Sequence, residues 1–90
     1  MNSDTPSVTV YSTSWCGSCV AAKRLLDARA IPYREVNLDD EPGFRAKLLD
    51  MTGRFTVPQI FIGEQSIGGF DQLRELDRSG RLAELVEQAA

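Results

Sequence analysis

Hydrophobic and polar residues follow two different periods along this chain, and the changes of period predict eight elements in the order β-α-β-α-β-β-α-α. Short runs rich in β-branched and aromatic residues are typical of strands. Such runs occupy residues 8–11, 33–37, 59–62 and 65–67. The last two runs are separated only by Gly63-Glu64, which predicts a tight turn and an antiparallel hairpin.

Apolar residues at intervals of three and four predict helices in the other segments. The first covers 18–29 and ends before Ile31-Pro32, because proline cannot continue a helix. The second begins at the acids and proline of 39–42, and the third covers 71–77. The positions predicted to face inward are Cys19, Ala22, Leu25 and Leu26 in the first helix, Phe44, Leu48 and Met51 in the second, and Leu82, Leu85, Val86 and Ala89 in the last.

These elements predict how the sheet is connected. A right-handed crossover in the first β-α-β unit makes its two strands parallel neighbours, whereas the hairpin adds an antiparallel pair. A mixed four-stranded sheet flanked by helices accommodates both, so the predicted fold class is α/β, a thioredoxin-like fold. With 90 residues the chain makes one domain, predicted as residues 7–90 behind a flexible N-terminal leader of residues 1–6.

Composition excludes several classes of function. The net charge is −3 with acids and bases interleaved, which argues against a basic surface for nucleic acid or for an anionic membrane. No apolar run approaches the ~20 residues of a membrane helix, and the N-terminus lacks the features of a secretory signal, so a cytoplasmic location is expected. The chain has no histidine, which excludes Ser-His-Asp and Cys-His catalysis.

The two cysteines carry the chemistry. Cys16 and Cys19 are separated by two residues and lie between the first strand and the first helix. Free N–H groups and the dipole at a helix start favour an anion, so the pKa of Cys16 should fall well below the free value of ~8.5 and make it the attacking thiol. Cys19, one turn further on, would resolve the intermediate. A buried pair or an incidental disulfide is the less favoured alternative. Trp15 is interpreted either as a wall of the active site or as plain packing.

With these residues in place, the chain resembles a glutaredoxin over residues 7–86. Cys-x-x-Cys alone is only moderately specific, but here it precedes Thr-Val-Pro and Gly-Gly-x-Asp at the family's spacing. Thioredoxin itself is disfavoured, because only one strand fits in front of Cys16. The four matching motifs are residues 11–19, residues 53–62, residues 67–71, and Leu73-x-x-Leu76 leading into Gly80-Arg81-Leu82.

The resemblance implies a glutathione site whose first part lies before the third strand. Val57-Pro58 would be a cis peptide beside Cys16, leaving the Val57 backbone free to pair with the cysteinyl part of glutathione. The alternative is a simple proline at the edge of a strand. Arg54 would hold the glycine carboxylate of glutathione through a charge-assisted contact, unless it is an ordinary solvated arginine.

The second part of the implied site follows the fourth strand. Gly68-Gly69 permits the backbone to bend close to a ligand. The N–H groups of Phe70 and Asp71 would then face the γ-glutamyl carboxylate at a helix start. The Asp71 side chain would accept from the γ-glutamyl ammonium, and it could also serve as a plain helix N-cap.

Two departures from the family pattern affect what the resemblance implies. Many glutaredoxins carry a lysine at the position of Thr13, and most two-cysteine members have Pro-Tyr where this chain has Gly17-Ser18. Glutathione affinity and substrate preference are therefore open, although the central chemistry is intact. Gly17 also resembles family members that hold an iron–sulphur cluster between two protomers.

The predicted function is therefore a glutathione-dependent reductase of protein disulfides and of glutathione mixed disulfides. Its partners would be glutathione and the disulfide-containing or glutathionylated proteins, with no nucleic acid and no membrane. The alternative is a carrier or sensor of a [2Fe–2S] cluster, in which Cys16 and glutathione from two chains ligate the iron. The protein is expected to be a monomer, and a dimer only if it binds a cluster. No other metal is expected.

Overall fold

The helices and strands follow the predicted order. The computed structural model describes residues 6–40, 42–53 and 56–89, so the predicted leader of residues 1–6 lies outside them except for Pro6. The elements are β1 (Val8–Ser12), α1 (Gly17–Ala28), β2 (Tyr33–Asn37), α2 (Pro42–Thr52), β3 (Gln59–Ile62), β4 (Gln65–Gly68), α3 (Phe70–Ser79) and α4 (Arg81–Ala89).

The four strands form one mixed sheet in the order β2-β1-β3-β4. β1 runs parallel to β2, from Val8 opposite Tyr33 to Ser12 opposite Asn37. β3 is antiparallel to both β1 and β4. The predicted parallel pair and antiparallel hairpin are therefore confirmed. Because β1 and β3 lie in the middle of the sheet and are covered on both faces, they are the most apolar strands.

Alternate residues of the central strands supply two hydrophobic clusters, one on each face of the sheet. The first lies under α1, α3 and α4 and contains Val8, Val10, Ala22, Leu26, Ile60, Ile62, Leu73 and Leu82. The second lies under α2 and contains Tyr11, Val36, Leu38, Leu48 and Phe61. Tyr11 contacts Phe61 edge to face, with ring centroids 5.6 Å apart. The domain therefore has three layers, with the sheet in the centre.

The inward faces of the helices agree with the predicted spacing except at two positions. Cys19, Ala22 and Leu26 are buried in α1. The prediction for Met51 is wrong, because its side chain is 48% exposed in the last turn of α2, and the buried cluster reaches only to Leu48. Ala89 is also exposed, since it is the last residue of α4. Within the described segments, none of the helices has the length and apolar character needed to cross a bilayer.

An ion pair joins the carboxyl ends of α1 and α3. Arg29, which follows α1, donates from Nε and Nη2 to the two carboxylate oxygens of Asp77 in α3, at 2.8 and 2.9 Å. The bond from Arg29 holds the pKa of Asp77 below its usual value. A bidentate contact fixes orientation as well as distance, so the two helices are tied where both end.

A second polar cluster joins β1, β2 and α1. Glu35 in β2 accepts hydrogen bonds from the buried hydroxyl of Ser12 at 2.6 Å and from the ammonium of Lys23 at 2.8 Å. The bond from Lys23, followed by the bond from Ser12, lowers the pKa of Glu35. The carboxylate therefore connects the end of β1 to the middle of α1.

The junction between β4 and α3 depends on a glycine. Gly68 has φ +114°, in the region that side chains rarely adopt, and a Cβ placed there would lie 3.0 Å from Oε1 of Gln72. The same oxygen accepts the backbone N–H of Gly69 at 2.8 Å and so caps the start of α3. The turn is thus fixed by Gly68 from one side and by Gln72 from the other.

We expect the Glu35 cluster to make part of the stability depend on pH. A carboxylate whose pKa is lowered by folding contributes stability above its unfolded pKa and loses it as the pH falls through the folded pKa. Because the pair is partly exposed, Glu35→Gln should lower the free energy of unfolding at neutral pH by at most about 1 kcal/mol. Urea unfolding from about pH 7 to about pH 3 should show this difference shrinking. Glu87→Gln, on the exposed face of α4, is the control, and a difference that is constant with pH would contradict the prediction.

We also expect Gly68→Ala to destabilise the fold. An alanine at this φ is strained and would push against Gln72, so the free energy of unfolding should fall by about 1–3 kcal/mol. Gly17→Ala is the matched control, because no atom lies within 4 Å of a Cβ built at Gly17. Chemical denaturation of both variants should therefore show a clear loss for Gly68→Ala and little change for Gly17→Ala. Equal effects would refute the assignment.

Candidate active site

The sulfur of Cys16 caps the start of α1. Cys16 has extended backbone angles (φ −138°, ψ 105°), and its Sγ accepts the backbone N–H of Cys19 at 3.0 Å. Its carbonyl accepts the N–H of Val20 at 3.2 Å. The predicted position of Cys16, just ahead of the helix, is therefore confirmed. The first turn directs its N–H groups and the positive end of the helix dipole toward the sulfur.

Cys16 and Cys19 form a disulfide, with their Cα atoms 5.2 Å apart. The two residues differ in their access to solvent. Cys19 is only 1% exposed and lies on the inner face of α1 with Ala22 and Leu26. Cys16 is partly exposed, and Gly17 and Ser18 beside it are exposed. A thiolate approaching from solvent therefore meets Cys16 first.

The loop that leads from β1 to Cys16 is held by the turn after β2. The carboxylate of Asp39 accepts the backbone N–H of Ser14 at 2.9 Å, and the amide of Asn37 donates to the Ser14 hydroxyl at 3.3 Å. The sequence pattern had not linked Asn37 or Asp39 to the site. Their signal was positional, because the carboxyl ends of two parallel neighbours lie at the same edge of a sheet.

Trp15 projects from this loop into solvent. Its residue is 95% exposed, so the interpretation of Trp15 as plain packing is wrong. Val20, one turn into α1, is 43% exposed. Two apolar side chains therefore border the cysteines on the outer surface of the molecule.

The segment before β3 forms the facing wall. The peptide bond between Val57 and Pro58 is cis, as the family resemblance implied. The carbonyl oxygen of Val57 lies 3.8 Å from Sγ of Cys16, and Pro58 is buried. The backbone of Val57 thus faces the accessible sulfur.

Five residues that the resemblance assigned to glutathione line one small cleft of about 140 Å³. The cleft lies between the first turn of α1 and the first turn of α3. Its lining residues are Ser18, Thr56, Val57, Pro58, Gly69, Phe70, Asp71 and Gln72. The predicted residues Val57, Pro58, Gly69, Phe70 and Asp71 are therefore brought together, whereas Arg54 lies outside the described residues.

The start of α3 differs in one respect from the expectation. Gly69 is the N-cap, and Asp71 is the second residue of the helix, so the interpretation of Asp71 as a plain N-cap is wrong. Its exposed carboxylate belongs to the first turn, where a negative charge is stabilised by the helix dipole. Gln72 does the capping, and its position three residues after Gly69 is the sequence signal that could have found it.

Larger clefts lie elsewhere on the molecule, along β4 and α4. Their volumes are about 450 and 520 Å³, and Gln65 and Leu85 line both. Amide, carboxylate, hydroxyl, guanidinium and aliphatic side chains line them, and neither is lined by Val57, which faces Cys16. The smaller cleft is the candidate site, because its lining residue Val57 lies 3.8 Å from Sγ of Cys16.

Sequence comparison relates this chain to a known family. The Glutaredoxin family model matches residues 8–67. A glutaredoxin of Pseudomonas aeruginosa is 43% identical over 81 residues, covering 90% of this chain and 96% of the relative. Glutaredoxin 3 of Escherichia coli is 39% identical over 80 residues, covering 89% of this chain and 96% of the relative.

Solved structures agree with the sequence relatives. A buckwheat glutaredoxin–glutathione complex superposes with a TM-score of 0.87 at 36% identity, covering 93% of this chain and 79% of that one. A glutaredoxin from Brucella melitensis has a TM-score of 0.83 at 33% identity, covering 98% of this chain and 96% of that one. The predicted thioredoxin-like fold is thus confirmed. On these matches, and on a Cys-x-x-Cys pair at the start of α1, the chain belongs to the glutaredoxin family of thiol–disulfide oxidoreductases.

Proposed function

We propose that this protein reduces protein disulfides and glutathione mixed disulfides with electrons from glutathione. The observation that carries the proposal is the unequal exposure of the two cysteines: Cys16 is accessible at the helix start, whereas Cys19 is buried behind it. Further support comes from the buckwheat relative, which was solved as a glutathione complex. Cys16 is the nucleophile and Cys19 the resolving thiol.

With a glutathionylated protein, only Cys16 reacts. Its thiolate attacks the glutathionyl sulfur, and the protein thiolate leaves and takes up a proton. A second glutathione thiolate then attacks the glutathionyl sulfur on Cys16, which yields glutathione disulfide and restores the Cys16 thiolate. The N–H of Cys19 and the start of α1 stabilise that thiolate, so Cys16 is a good leaving group in the second step.

With a protein disulfide, both cysteines react. Cys16 attacks one sulfur of the target and forms a mixed disulfide with it, releasing the other target sulfur as a thiolate. Cys19 then loses its proton and attacks Cys16, which frees the target and leaves the Cys16–Cys19 disulfide found here. Two glutathione molecules reduce this disulfide and leave as glutathione disulfide.

The small cleft beside Cys16 is the glutathione site in this proposal. The backbone of Val57, 3.8 Å from the sulfur, pairs with the cysteinyl part of the tripeptide. The start of α3, at Phe70 and Asp71, receives the γ-glutamyl end, whose carboxylate suits the free N–H groups and whose ammonium suits the Asp71 carboxylate. Arg54 holds the glycine carboxylate at the other end.

The setting we propose is the cytoplasm, where glutathione keeps thiols reduced. There the protein acts as a monomer, and its partners are glutathione and the oxidised proteins themselves. Trp15 and Val20, exposed beside the cysteines, are the apolar side chains that a protein substrate would cover. Cell fractionation and size-exclusion chromatography of the reduced protein test the location and the monomeric state.

The [2Fe–2S] alternative stays a prediction. No group of three or more cysteine, aspartate or glutamate residues that could hold a metal ion occurs in the described part of the chain. Cys16 is the accessible cysteine of the described residues, so four thiolate ligands would require a second chain and two glutathione molecules. Anaerobic reconstitution with iron, sulfide and glutathione distinguishes the two cases, since a coloured dimer supports the cluster and a colourless monomer excludes it.

Substitution of each cysteine should separate their roles. Cys16→Ser should abolish turnover of both substrate classes, because a serine hydroxyl without a base is not a usable nucleophile. Cys19→Ser should retain the removal of glutathione from a glutathionylated peptide and lose the reduction of protein disulfides. Both activities are measured in a coupled assay with glutathione and glutathione reductase. The reverse pattern of losses would exchange the two roles.

Removal of the charge of Asp71 or of Arg54 should weaken glutathione binding. Asp71→Asn and Arg54→Ala each delete one charge-assisted contact, so KM for glutathione should rise about tenfold while the thermal midpoint changes little. Arg78→Ala, in the exposed last turn of α3, is the control for the loss of surface charge. If both variants match wild-type kinetics, glutathione does not bind in this orientation.

A further inference from the structure

Gln59 is a buried polar residue at the boundary between the site and the core. It is the first residue of β3, directly after Pro58, and its exposed fraction is 0%. It lies opposite Tyr11 of β1, and the alternation of β3 places its side chain on the face of Phe61, whereas Ile60 and Ile62 point to the other face. A glutamine in this position is surrounded by sheet and core rather than by water.

Only one end of the Gln59 amide is satisfied. Nε2 donates to the carbonyl oxygen of Thr56 at 2.9 Å and to the Thr56 hydroxyl at 3.2 Å. Because a carbonyl can only accept, the amide nitrogen must be the end that faces Thr56. The other end, Oε1, is buried and has no hydrogen-bond partner among the described residues. A buried acceptor without a donor lowers stability.

The satisfied end holds the wall of the cleft. Thr56 and Val57 line the cleft beside Cys16, and Thr56 is itself exposed. The two bonds from Gln59 reach this segment from the core side and fix the peptide that precedes Val57. The Val57 carbonyl in turn lies 3.8 Å from Sγ of Cys16. A shift of the Thr56 carbonyl would therefore move the backbone group that faces the accessible sulfur.

We propose that Gln59 is a positioning residue for glutathione, which fixes the Val57 backbone at the expense of an unsatisfied oxygen in the core. The proposal rests on the proposed glutathione site. The proposal predicts opposite effects on stability and on glutathione use. A methionine at position 59 has a similar length and would remove the unsatisfied buried oxygen, but it could not hold Thr56. Water can replace the lost donor at Thr56, since that residue is exposed.

The test is Gln59→Met, with Gln65→Met in the exposed strand β4 as the matched control. The thermal midpoint of Gln59→Met should equal or exceed that of the wild type. Its kcat/KM for glutathione should fall between about tenfold and about a hundredfold, mainly through KM, because a small displacement of a binding group is enough to lose that factor. Reduction of the Cys16–Cys19 disulfide by dithiothreitol, which does not need the Val57 wall, is the reference reaction and should change less than about twofold.

Either of two kinetic results would overturn the proposal. Unchanged glutathione kinetics in Gln59→Met would show that the Thr56 bonds position nothing, and equal losses with glutathione and dithiothreitol would show a purely structural role. Hydrogen exchange at the Val57 amide keeps the test independent of glutathione. Faster exchange in Gln59→Met would support the positioning role of Gln59, and unchanged exchange would oppose that role. A wild-type protein that fails to use glutathione would refute the proposed function but not the effect of Gln59 on the Val57 backbone.

Discussion

The hydrogen bond from the Cys19 N–H to the Cys16 sulfur is the interaction on which the site depends. A helix that begins with serine or aspartate uses an oxygen to satisfy its first free N–H groups. Here a sulfur takes that place, so the reacting atom is also the atom that starts α1. The helix then fixes where Cys19 lies, since three residues bring it back to the same side and into the core. The start of α1 therefore determines both which sulfur caps the helix and where the second cysteine lies.

The rest of the fold brings its polar groups to the same end of the sheet. Ser12 and Gln59 are the buried polar residues of the described core, and both lie where the central strands meet the site. Ser12 ends β1, and Gln59 begins the antiparallel strand β3 beside it. Apart from Thr9, the remaining residues of β1 and β3 are apolar or aromatic, and they contribute to the two clusters that stabilise the domain. The apolar residues of the central strands thus supply most of the stability. The buried polar residues Ser12 and Gln59 lie at the end of the sheet that carries the cysteines.

Periodicity predicted the elements well because most of them are short and strongly patterned. Their ends were less predictable, since they depend on contacts made in three dimensions. α1 begins at Gly17 rather than at residue 18 because the Cys16 sulfur caps it, and α3 begins at Phe70 because Gln72 reaches back to Gly69. The exposed side chain of Met51 shows a further limit, because helical spacing does not tell where the opposing surface ends.

The candidate site was predictable where residue type alone reveals the chemistry. The cysteine pair, Val57-Pro58 and the segment after Gly68 carry recognisable motifs, and the fold brings them to one cleft. Asn37, Asp39 and Gln59 carry no such signal. Asp39 and Gln59 bond to the backbone of other segments, and Asn37 bonds to the hydroxyl of Ser14. A polar residue that positions another segment by a hydrogen bond belongs to no sequence motif. Its partner becomes visible only when the arrangement of strands and turns is known.

The Arg29–Asp77 pair has a consequence for the field in the cleft. α1 and α3 both start at the cleft and both end at this ion pair, so the two helices run side by side in the same direction. Two parallel helix dipoles side by side repel each other. Leu26 of α1 and Leu73 of α3 share one buried cluster that holds the helices together, and the ion pair links their far ends, so two positive poles lie together at the near end. An anion in the cleft, whether a thiolate or a carboxylate, therefore experiences the positive ends of both helix dipoles at once.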